Sequence, residues 1–224
     1  MKVIVTGCNG LVGSALVRQC IANPAISHVF ALTRKPLPEA VTNSPKATVI
    51  EHDDFSAYPP ELLARLAGAE GCLWAIGGRA PQFPDVETAR KVHVEYTQAA
   101  AKAFLGHLVP QLPEGKQFRF VFCSGALAEW DQQKPLYFMA DTRRIKGETE
   151  RGLCEIADGD ATKRFAVYCA RPSGILPADA GVARKLSGRL FNAIGVDQLA
   201  KAMVRILLEG YKERIIENSE LQKL

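Results

Sequence analysis

Three glycines near the start of the chain have the spacing of a phosphate-binding turn. Gly7, Gly10 and Gly13 follow the apolar run 3–5 and precede residues typical of a helix. Glycine suits these positions because a side chain would hinder the sharp turn, the approach of a pyrophosphate or the packing of the helix on the strand. The first N–H groups of the helix would face the phosphates. The pattern predicts a dinucleotide site, and the alternative is a glycine-rich turn without a ligand. We expect this site to use Gly7, Asn9, Gly10, Leu11, Val12 and Gly13.

Two basic residues, Arg34 and Lys35, follow the second apolar run. In a dinucleotide-binding unit this position faces the adenosine ribose. A carboxylate there would hold the 2′-hydroxyl of NAD, whereas an arginine accommodates the 2′-phosphate of NADP. No acidic residue follows before Glu39. The sequence therefore favours NADP over NAD, although the pair could also belong to a solvated loop.

Two further segments have residue types that suit a nucleotide. Asp53 and Asp54 follow the third apolar run. One of these carboxylates could accept a hydrogen bond from the adenine amino group, or it could cap the next turn. The fourth run ends at Ala75, Ile76 and Gly77, where small residues suit the close approach of a nicotinamide ribose, or simply form a loop.

The elements that must position these residues alternate along the chain. Apolar runs predict strands at 3–5, 29–32, 47–51, 71–76, 118–123 and 165–169, with a possible short last strand at 214–217. Helical patterns occupy 11–22, 59–67, 87–104, 141–156 and 197–208, and Asp141 is the expected N-cap of the fourth helix. Six βα-like units predict an α/β fold with one doubly wound parallel (Rossmann) sheet. We expect one domain over 1–224, with a small C-terminal elaboration that adds to the substrate pocket from about residue 172.

Composition narrows the classes of protein to consider. The chain has 224 residues, 47% of them hydrophobic, and a net charge of +4 without a basic run, so nucleic acid is not an expected partner. No apolar run approaches about 18 residues, and Met1 leads directly into the first strand, so we expect a cytoplasmic protein without a membrane segment. The six cysteines are scattered, which predicts reduced thiols, and the four histidines lack the spacing of metal ligands.

Several motifs together carry a resemblance to a known family. They are Thr6-Gly7-x-x-Gly10-x-x-Gly13, Asp53–Asp54, the turn at Ser124, Lys146-Gly147-Glu148-x-Glu150 and Arg171-Pro172. In their order and spacing the chain resembles the short-chain dehydrogenase/reductase superfamily, in its atypical branch. It is most similar to the small NAD(P)H-binding proteins of the Tat-interacting-protein type.

The resemblance also implies a catalytic set that this chain only partly keeps. Family enzymes use an asparagine, a serine, a tyrosine and a lysine, with the tyrosine four residues before the lysine. Lys146 matches the lysine, but Thr142 stands at the tyrosine position, and an aliphatic hydroxyl is a far weaker acid than a phenol. His93 stands at the asparagine position, and the serine corresponds to Ser124 or falls one residue later, at Gly125.

Three residues are candidates for the missing acid. Tyr137 lies nine residues before Lys146, in the aromatic segment 125–140 that we expect to form a pocket wall. His93 has a side chain that titrates near neutral pH, although a lone histidine on a helix is often merely packed. Lys146 could serve as both acid and ribose clamp, or it could bind the cofactor without chemistry. The predicted catalytic residues are thus Lys146, Ser124, Tyr137 and His93, and the predicted site contains no metal.

Three functions fit this pattern. The first is an NADPH-dependent reductase of a small carbonyl, enone or imine substrate, with an altered proton donor. The second is a non-redox isomerase or cyclase on the same fold, and the third is a regulatory protein that senses NADP(H). No pattern indicates an oligomeric state.

Overall fold

A computed structural model describes residues 1–181 and 192–224 of the chain. Nine strands occur in these residues, seven in a central parallel sheet and two in a small second sheet. In chain order they are β1 (Lys2–Thr6), β2 (His28–Thr33), β3 (Ala47–Glu51), β4 (Gly71–Trp74), β5 (Phe118–Cys123), β6 (Phe165–Arg171), β7 (Ile175–Leu176), β8 (Ile194–Gly195) and β9 (Ile215–Glu217).

Helices connect the strands. They are α1 (Leu11–Ala22), α2 (Glu39–Thr42), α3 (Pro60–Arg65), α4 (Val86–Arg90), α5 (Tyr96–His107), α6 (Ala140–Asp158), α7 (Val196–Glu209) and α8 (Asn218–Leu221). Short 3₁₀ segments lie at Ala80–Gln82 and Val109–Gln111, and a π-helical segment at Lys91–Glu95 joins α4 to α5.

The strand order of the central sheet is β3-β2-β1-β4-β5-β6-β9, and all of its pairs are parallel. The order runs outward from β1 in one direction to β3 and in the other direction to β9. Chain connections therefore leave β1 toward opposite sides, and a crevice opens above the carboxyl ends of β1 and β4. This architecture confirms the predicted doubly wound α/β fold, including the last strand paired with β6.

The side chains of successive strand residues pack on opposite faces of the sheet. Val3 and Val5 belong to a core beneath α1 and α7, whereas Ile4 and Trp74 belong to a core beneath α5 and α6. Both cores are apolar because a parallel sheet is covered by helices on both faces. The sheet is therefore buried on both faces below the carboxyl edge that carries the crevice.

Several predicted boundaries differ from the structure, and three of the differences bear on the candidate site. β4 ends at Trp74 rather than Ile76, because residues 75–78 leave the sheet to line the crevice, and Gly77 has a φ of 138°. The helix expected over 87–104 instead spans 86–107 with a π-helical interruption at Lys91–Glu95. Asp141 is not the N-cap of α6, since the helix begins one residue earlier and Met139, in the left-handed region, takes that position.

The predicted elaboration beyond residue 172 contains the small sheet of β7 and β8, and its part at 182–191 lies outside the described residues. All six cysteines are free and buried. In the described part of the chain, no helix has the length and apolar character needed to cross a membrane.

One glycine on α6 brings two backbone segments together. A Cβ on Gly147 would overlap the backbone of Glu129, whereas a Cβ on Gly106, on α5, would meet nothing within 4 Å. The chain after β5 can therefore lie against α6 only because Gly147 has no side chain.

We expect Gly147→Ala to lower the free energy of unfolding by about 1–3 kcal/mol, because the loop backbone must move. The matched control Gly106→Ala should raise it by up to about 1 kcal/mol through helix propensity alone. Urea unfolding followed by circular dichroism measures both. A Gly147→Ala variant as stable as the control would show that the contact is dispensable.

Candidate functional site

A cleft of about 1060 Å³ lies above the carboxyl ends of β1, β4, β5 and β6. Its wall consists of the loops that follow these four strands and the first turns of α6. The lining residues are Gly10, Leu11, Val12, Ala75, Ile76, Gly77, Gly78, Arg79, Gln82, Cys123, Ser124, Gly125, Ala126, Leu127, Phe138, Met139, Thr142, Arg143, Lys146, Pro172, Ser173, Gly174 and Ile175. The cleft therefore joins the glycine-rich turn to the region of Lys146.

The glycine-rich turn is closely packed where a dinucleotide site requires it. Gly7 has a φ of 67°, and a Cβ there would overlap the carbonyl of Ala75. A Cβ on Gly13 would overlap the carbonyl of Gly7. At Gly10 the closest atom would be 3.2 Å away and the rest of the space is open toward the cleft. Gly7 and Gly13 thus bring the backbone together, and Gly10 leaves room for a ligand.

Helix α1 begins at this turn without any side-chain cap. Gly10 is its N-cap residue, and no acidic residue lies in its first turn. The N–H groups of Leu11 and Val12 have no partner within the helix, because the first turn of any helix leaves its donors free. Both residues line the cleft. An anion such as a pyrophosphate fits this position electrostatically.

Asn9 links the glycine-rich turn to the end of β2. Its Nδ2 donates hydrogen bonds to Thr33 Oγ1 at 3.1 Å and to the carbonyl of Lys35 at 3.2 Å. Arg34 and Lys35 are exposed beside this link and do not line the cleft itself. The structure thus brings both basic residues next to the turn, with their side chains toward solvent.

Asp53 and Asp54 lie at the corresponding edge of β3, and both are exposed. Asp54 accepts hydrogen bonds from the N–H of Ser56 at 2.9 Å and from its hydroxyl at 2.5 Å. These bonds, the side-chain bond first, lower the pKa of the Asp54 carboxyl. Asp54 therefore caps the following turn, which is one of the two roles expected for this pair; the other was a hydrogen bond from the adenine amino group.

Lys146 is buried in the wall of the cleft. Its Nζ donates a hydrogen bond to the carbonyl of Cys123 at 2.9 Å and lies 4.9 Å from the centre of the Phe122 ring. Burial lowers the pKa of the Lys146 ammonium below its ordinary value, and the charge of Glu150 opposes this shift. The ammonium is therefore a stronger acid than that of an exposed lysine.

Thr142 lies one helical turn before Lys146 and also lines the cleft. Its Oγ1 accepts a hydrogen bond from the N–H of Ala80 at 2.9 Å. Because the oxygen accepts this bond, the hydroxyl proton remains available for a second partner. The segment after β4 is thereby attached to the start of α6.

Ser124 lines the cleft at the end of β5, but its hydroxyl is engaged below the cleft. Its Oγ donates to Glu150 Oε1 at 2.5 Å. A hydroxyl has one proton, so Ser124 in this arrangement can offer a ligand only its oxygen lone pairs.

Glu150 is a fully buried carboxylate that ties several elements together. It accepts bonds from Trp130 Nε1 at 2.7 Å and from Arg171 Nε at 2.9 Å, and Arg171 also binds Glu217 at 2.9 Å. Burial alone would lower the pKa of Arg171, but the hydrogen bonds and charges of Glu150 and Glu217 outweigh it and raise that pKa. The ion pair supports the floor of the cleft.

His93 does not line the cleft. Its Nε2 accepts a hydrogen bond from the N–H of Gly78 at 3.0 Å, so His93 packs behind the loop that follows β4. Burial, reinforced by the charge of Lys146, lowers the pKa of His93 to about 2. The imidazole is therefore neutral near pH 7 and supports the loop rather than facing the cleft.

Tyr137 is fully exposed and also absent from the wall of the cleft, although Phe138 and Met139 beside it belong to that wall. Met139 and Leu127, two cleft residues, have φ values of 49° and 62°. These left-handed conformations are uncommon for residues other than glycine, and they shape the aromatic segment at the cleft mouth.

Three polar residues of the cleft, Arg79, Gln82 and Arg143, are not among the predicted site residues, although Arg79 and Gln82 lie in the segment 77–90, which the sequence predicts to contribute to the pocket. Arg143 lies three residues before Lys146, a spacing that places both on one face of a helix and could have revealed it. Arg79 follows the Gly77–Gly78 pair, which offered no such signal. Among residues 1–181 and 192–224, no cluster of His, Cys, Asp and Glu side chains is suited to a metal ion.

Comparison with known proteins identifies several fungal relatives, while no protein-family model matches the chain. The chain is 29% identical over 183 residues to leucinostatins biosynthesis cluster protein T of Purpureocillium lilacinum, a match that covers 77% of this chain and 64% of that protein. It is 27% identical over 103 residues to Protein FMP52, mitochondrial, of Candida albicans, which covers 46% and 44%. These two matches span less than two thirds of the length of the relatives concerned.

Solved structures extend the comparison. The chain matches the carbonyl reductase Sniffer of D. melanogaster with a TM-score of 0.75 and 17% identity, over 98% of this chain and 97% of that chain. It matches Gre2 of Candida albicans, determined with NADPH, with a TM-score of 0.71 and 16% identity, over 97% and 77%. It matches the short-chain dehydrogenase/reductase YIR035C of Saccharomyces cerevisiae with a TM-score of 0.71 and 10% identity, over 97% and 95%. The chain therefore has the Rossmann fold of these short-chain dehydrogenase/reductase structures.

The buried imidazole predicts a dependence of stability on pH. The pKa of His93 is about 2 in the folded chain, against an ordinary value of 6.5. The unfolded state thus binds the additional proton between these values, and stability falls as pH falls below 6.5. Between about pH 7.5 and 5.0, His93 alone should lower the free energy of unfolding by about 2 kcal/mol.

His93→Gln, which can still accept the Gly78 N–H, should lose this contribution. Urea unfolding of both proteins at the two pH values measures it. Parallel losses of stability in wild type and variant would contradict the buried neutral imidazole.

Proposed function

We propose that the chain is an atypical short-chain dehydrogenase/reductase that uses NADP(H) to reduce a small carbonyl, enone or imine substrate. One observation carries the proposal: a single cleft joins the open helix terminus at Leu11 and Val12 to Thr142 and Lys146. A dinucleotide is long enough to have its phosphates at the first pair and its reactive ring near the second. The narrower resemblance, to the Tat-interacting-protein type, stays a prediction.

The residues present fit such a cofactor. Gly7 and Gly13 allow a close backbone turn that any Cβ would disrupt, and Gly10 leaves space above it. The free N–H groups of α1 are donors for a pyrophosphate, and exposed Arg34 and Lys35 are donors for a 2′-phosphate. Asn9 holds the carbonyl of Lys35, which keeps these basic residues beside the turn.

The cofactor, when bound, supplies a hydride, and the protein must then supply a proton. Thr142 has a hydroxyl whose oxygen already accepts the Ala80 N–H, so its proton can be donated to a substrate oxygen or nitrogen. An aliphatic hydroxyl is too weak an acid to act alone. Lys146, on the same face of α6, has an acidified ammonium because burial lowers its pKa. We therefore assign the role of proton donor to Lys146. Thr142 then serves only as a hydrogen-bond donor to the substrate oxygen or nitrogen.

The remaining candidates have other roles in this proposal. The Ser124 hydroxyl donates a hydrogen bond to Glu150, so it can only accept a hydrogen bond from a ligand. His93 supports the loop after β4, and Tyr137 is exposed to solvent. We also propose a small-molecule substrate and a cytoplasmic location.

Lys146→Met should reduce NADPH-dependent turnover about 10²–10⁴-fold, the usual contribution of general acid–base catalysis. Thr142→Val, which keeps shape and removes the hydroxyl, should have a much smaller effect. The measurement is NADPH oxidation with a panel of ketones, enones and cyclic imines, beside NADPH affinity by calorimetry. Lys102→Ala, on the surface of α5, is the control for charge.

A collapse of activity in Thr142→Val with full activity in Lys146→Met would overturn this assignment. Product formed without any change in NADPH would instead favour the isomerase or cyclase alternative. Tight NADPH binding without conversion of any substrate would favour a sensor.

NADP(H) should bind more tightly than NAD(H), because Arg34 and Lys35 can form charge-assisted bonds that need a 2′-phosphate. Arg34→Ala should lower the affinity for NADPH by about 1.5–3 kcal/mol and leave that for NADH unchanged. Calorimetric titration of both cofactors measures this. Arg65→Ala, an exposed arginine at the end of α3, should bind both as wild type does, and equal wild-type affinities for NADPH and NADH would refute the preference.

A further inference from the structure

Two arginines lie on either side of Thr142 in the wall of the cleft. Arg143 follows Thr142 directly on α6, and Arg79 precedes Ala80, whose N–H is bonded to Thr142 Oγ1 at 2.9 Å. Both residues therefore line the part of the cleft around the proposed reaction centre. They are distant along the sheet from the end of β2, where Arg34 and Lys35 lie.

Neither arginine is neutralised by the described residues. Within that part of the chain, neither Arg79 nor Arg143 forms an ion pair with a carboxylate. Arg143 uses its Nε to bond the carbonyl of Leu127 at 2.8 Å, which holds the side chain and leaves its other donors free. The charge of Arg143 contributes to the lowered pKa of Glu129, but the Glu129 carboxylate forms its ion pair with Lys134, at 2.7 Å.

The charge of the cleft is also one-sided. Arg79, Arg143 and Lys146 line it, whereas no aspartate or glutamate is among its described lining residues. Guanidinium groups without a counter-ion favour a ligand that brings a negative charge, and the planar fork of arginine matches a carboxylate. Lys146 is committed to Cys123 and the reaction centre, so the two arginines are the available pair.

The wall beside these arginines is apolar and unusually exposed. Leu127 is 60% exposed, Phe138 66% and Met139 38%, and all three line the cleft. Large apolar side chains at the mouth of a cleft are covered when an apolar ligand lies against them.

We propose that Arg79 and Arg143 bind the carboxylate of an acidic substrate whose apolar body lies against Leu127, Phe138 and Met139. The substrate class is thus an oxo or unsaturated carboxylic acid with an aryl or alkyl body. This inference rests on the proposed function, because the reaction centre at Thr142 and Lys146 defines where the substrate must lie.

The probes are 4-phenylbutanoate and its amide, which have the same size and differ in charge. Each is titrated calorimetrically into the protein saturated with NADP⁺. The basic residues that bind the cofactor phosphates are then already paired and cannot bind the probe. The acid should bind at least about tenfold more tightly than the amide, as expected for a charge-assisted hydrogen bond. Arg79→Gln and Arg143→Gln should each remove most of this preference, and Arg143→Lys should keep part of it. Arg151→Gln, an exposed arginine of α6 outside the cleft, should behave as wild type.

Equal affinities for acid and amide, no binding of the acid, or an equal loss in Arg151→Gln would each overturn the inference. A lower affinity of Arg79→Gln or Arg143→Gln for NADP⁺ itself would assign that arginine to the cofactor and would also overturn it. Thermal unfolding of each variant distinguishes misfolding from lost binding, and Arg143→Lys retains the charge if Gln perturbs the fold.

Titration with these probes, combined with turnover of related oxo acids, separates this inference from the proposed function. Because titration involves no turnover, the preference for the acid can hold while 4-oxo-4-phenylbutanoate and other oxo acids fail to oxidise NADPH. That result would reject the reductase and keep the acid site. Oxidation of NADPH with equal KM for an oxo acid and its methyl ester would keep the reductase and reject the acid site.

Discussion

The cleft depends on three backbone segments that pack against one another with no side chain between them. The turn after β1 lies between the start of α1 and the end of β4, and a Cβ on Gly7 or Gly13 would overlap a neighbouring carbonyl. This contact packs the turn against Ala75, where β4 leaves the sheet, and the first residues of α1 line the same cleft as Ala75 and Gly77. The donors for an anion and the opening at the switch in strand order are consequently produced by the same close approach.

A second constraint acts on the opposite side of the cleft, through charge rather than through close packing. Glu150 is completely buried and binds Ser124, Trp130 and Arg171 at once, so that α6 and the ends of β5 and β6 are tied to one carboxylate. A buried carboxylate of this kind is tolerated only because each of its oxygens has partners. The arrangement supports Lys146 one turn earlier on α6, but it also removes the proton of Ser124 from the cleft. The ion pair of Glu150 with Arg171 thus supports Lys146, the proposed acid, and leaves the Ser124 hydroxyl able only to accept a hydrogen bond from a ligand.

The sequence predicted the sheet and the glycine-rich turn well, because apolar runs and glycine spacing report local backbone requirements. It predicted less of the cleft, since contacts between distant segments leave no local signal. Nothing near His93 in the sequence shows that its ring is bonded to the N–H of Gly78 and stays neutral. The exposure of Tyr137 and the attachment of Thr142 to Ala80 likewise depend on how loops meet across the cleft. Glu150 was visible in a motif, but its three partners come from the segment after β5 and from β6, which are distant from it in the sequence.

The pairing of β1 with β4 has a consequence for the order in which the chain folds. Val3 pairs with Gly71 in this ladder, whereas on the other side of β1 it pairs with Val29. Every ladder of the central sheet is parallel, so each one closes a long loop before its contacts compensate for the lost chain entropy, and such topologies fold slowly. The crevice exists only after β4 has docked on β1, and this pairing spans the larger of the two separations in sequence. The cleft is also lined by residues that follow β5 and β6, so it is complete only when most of the sheet has formed. The proposed nucleotide should therefore slow unfolding far more than it accelerates folding.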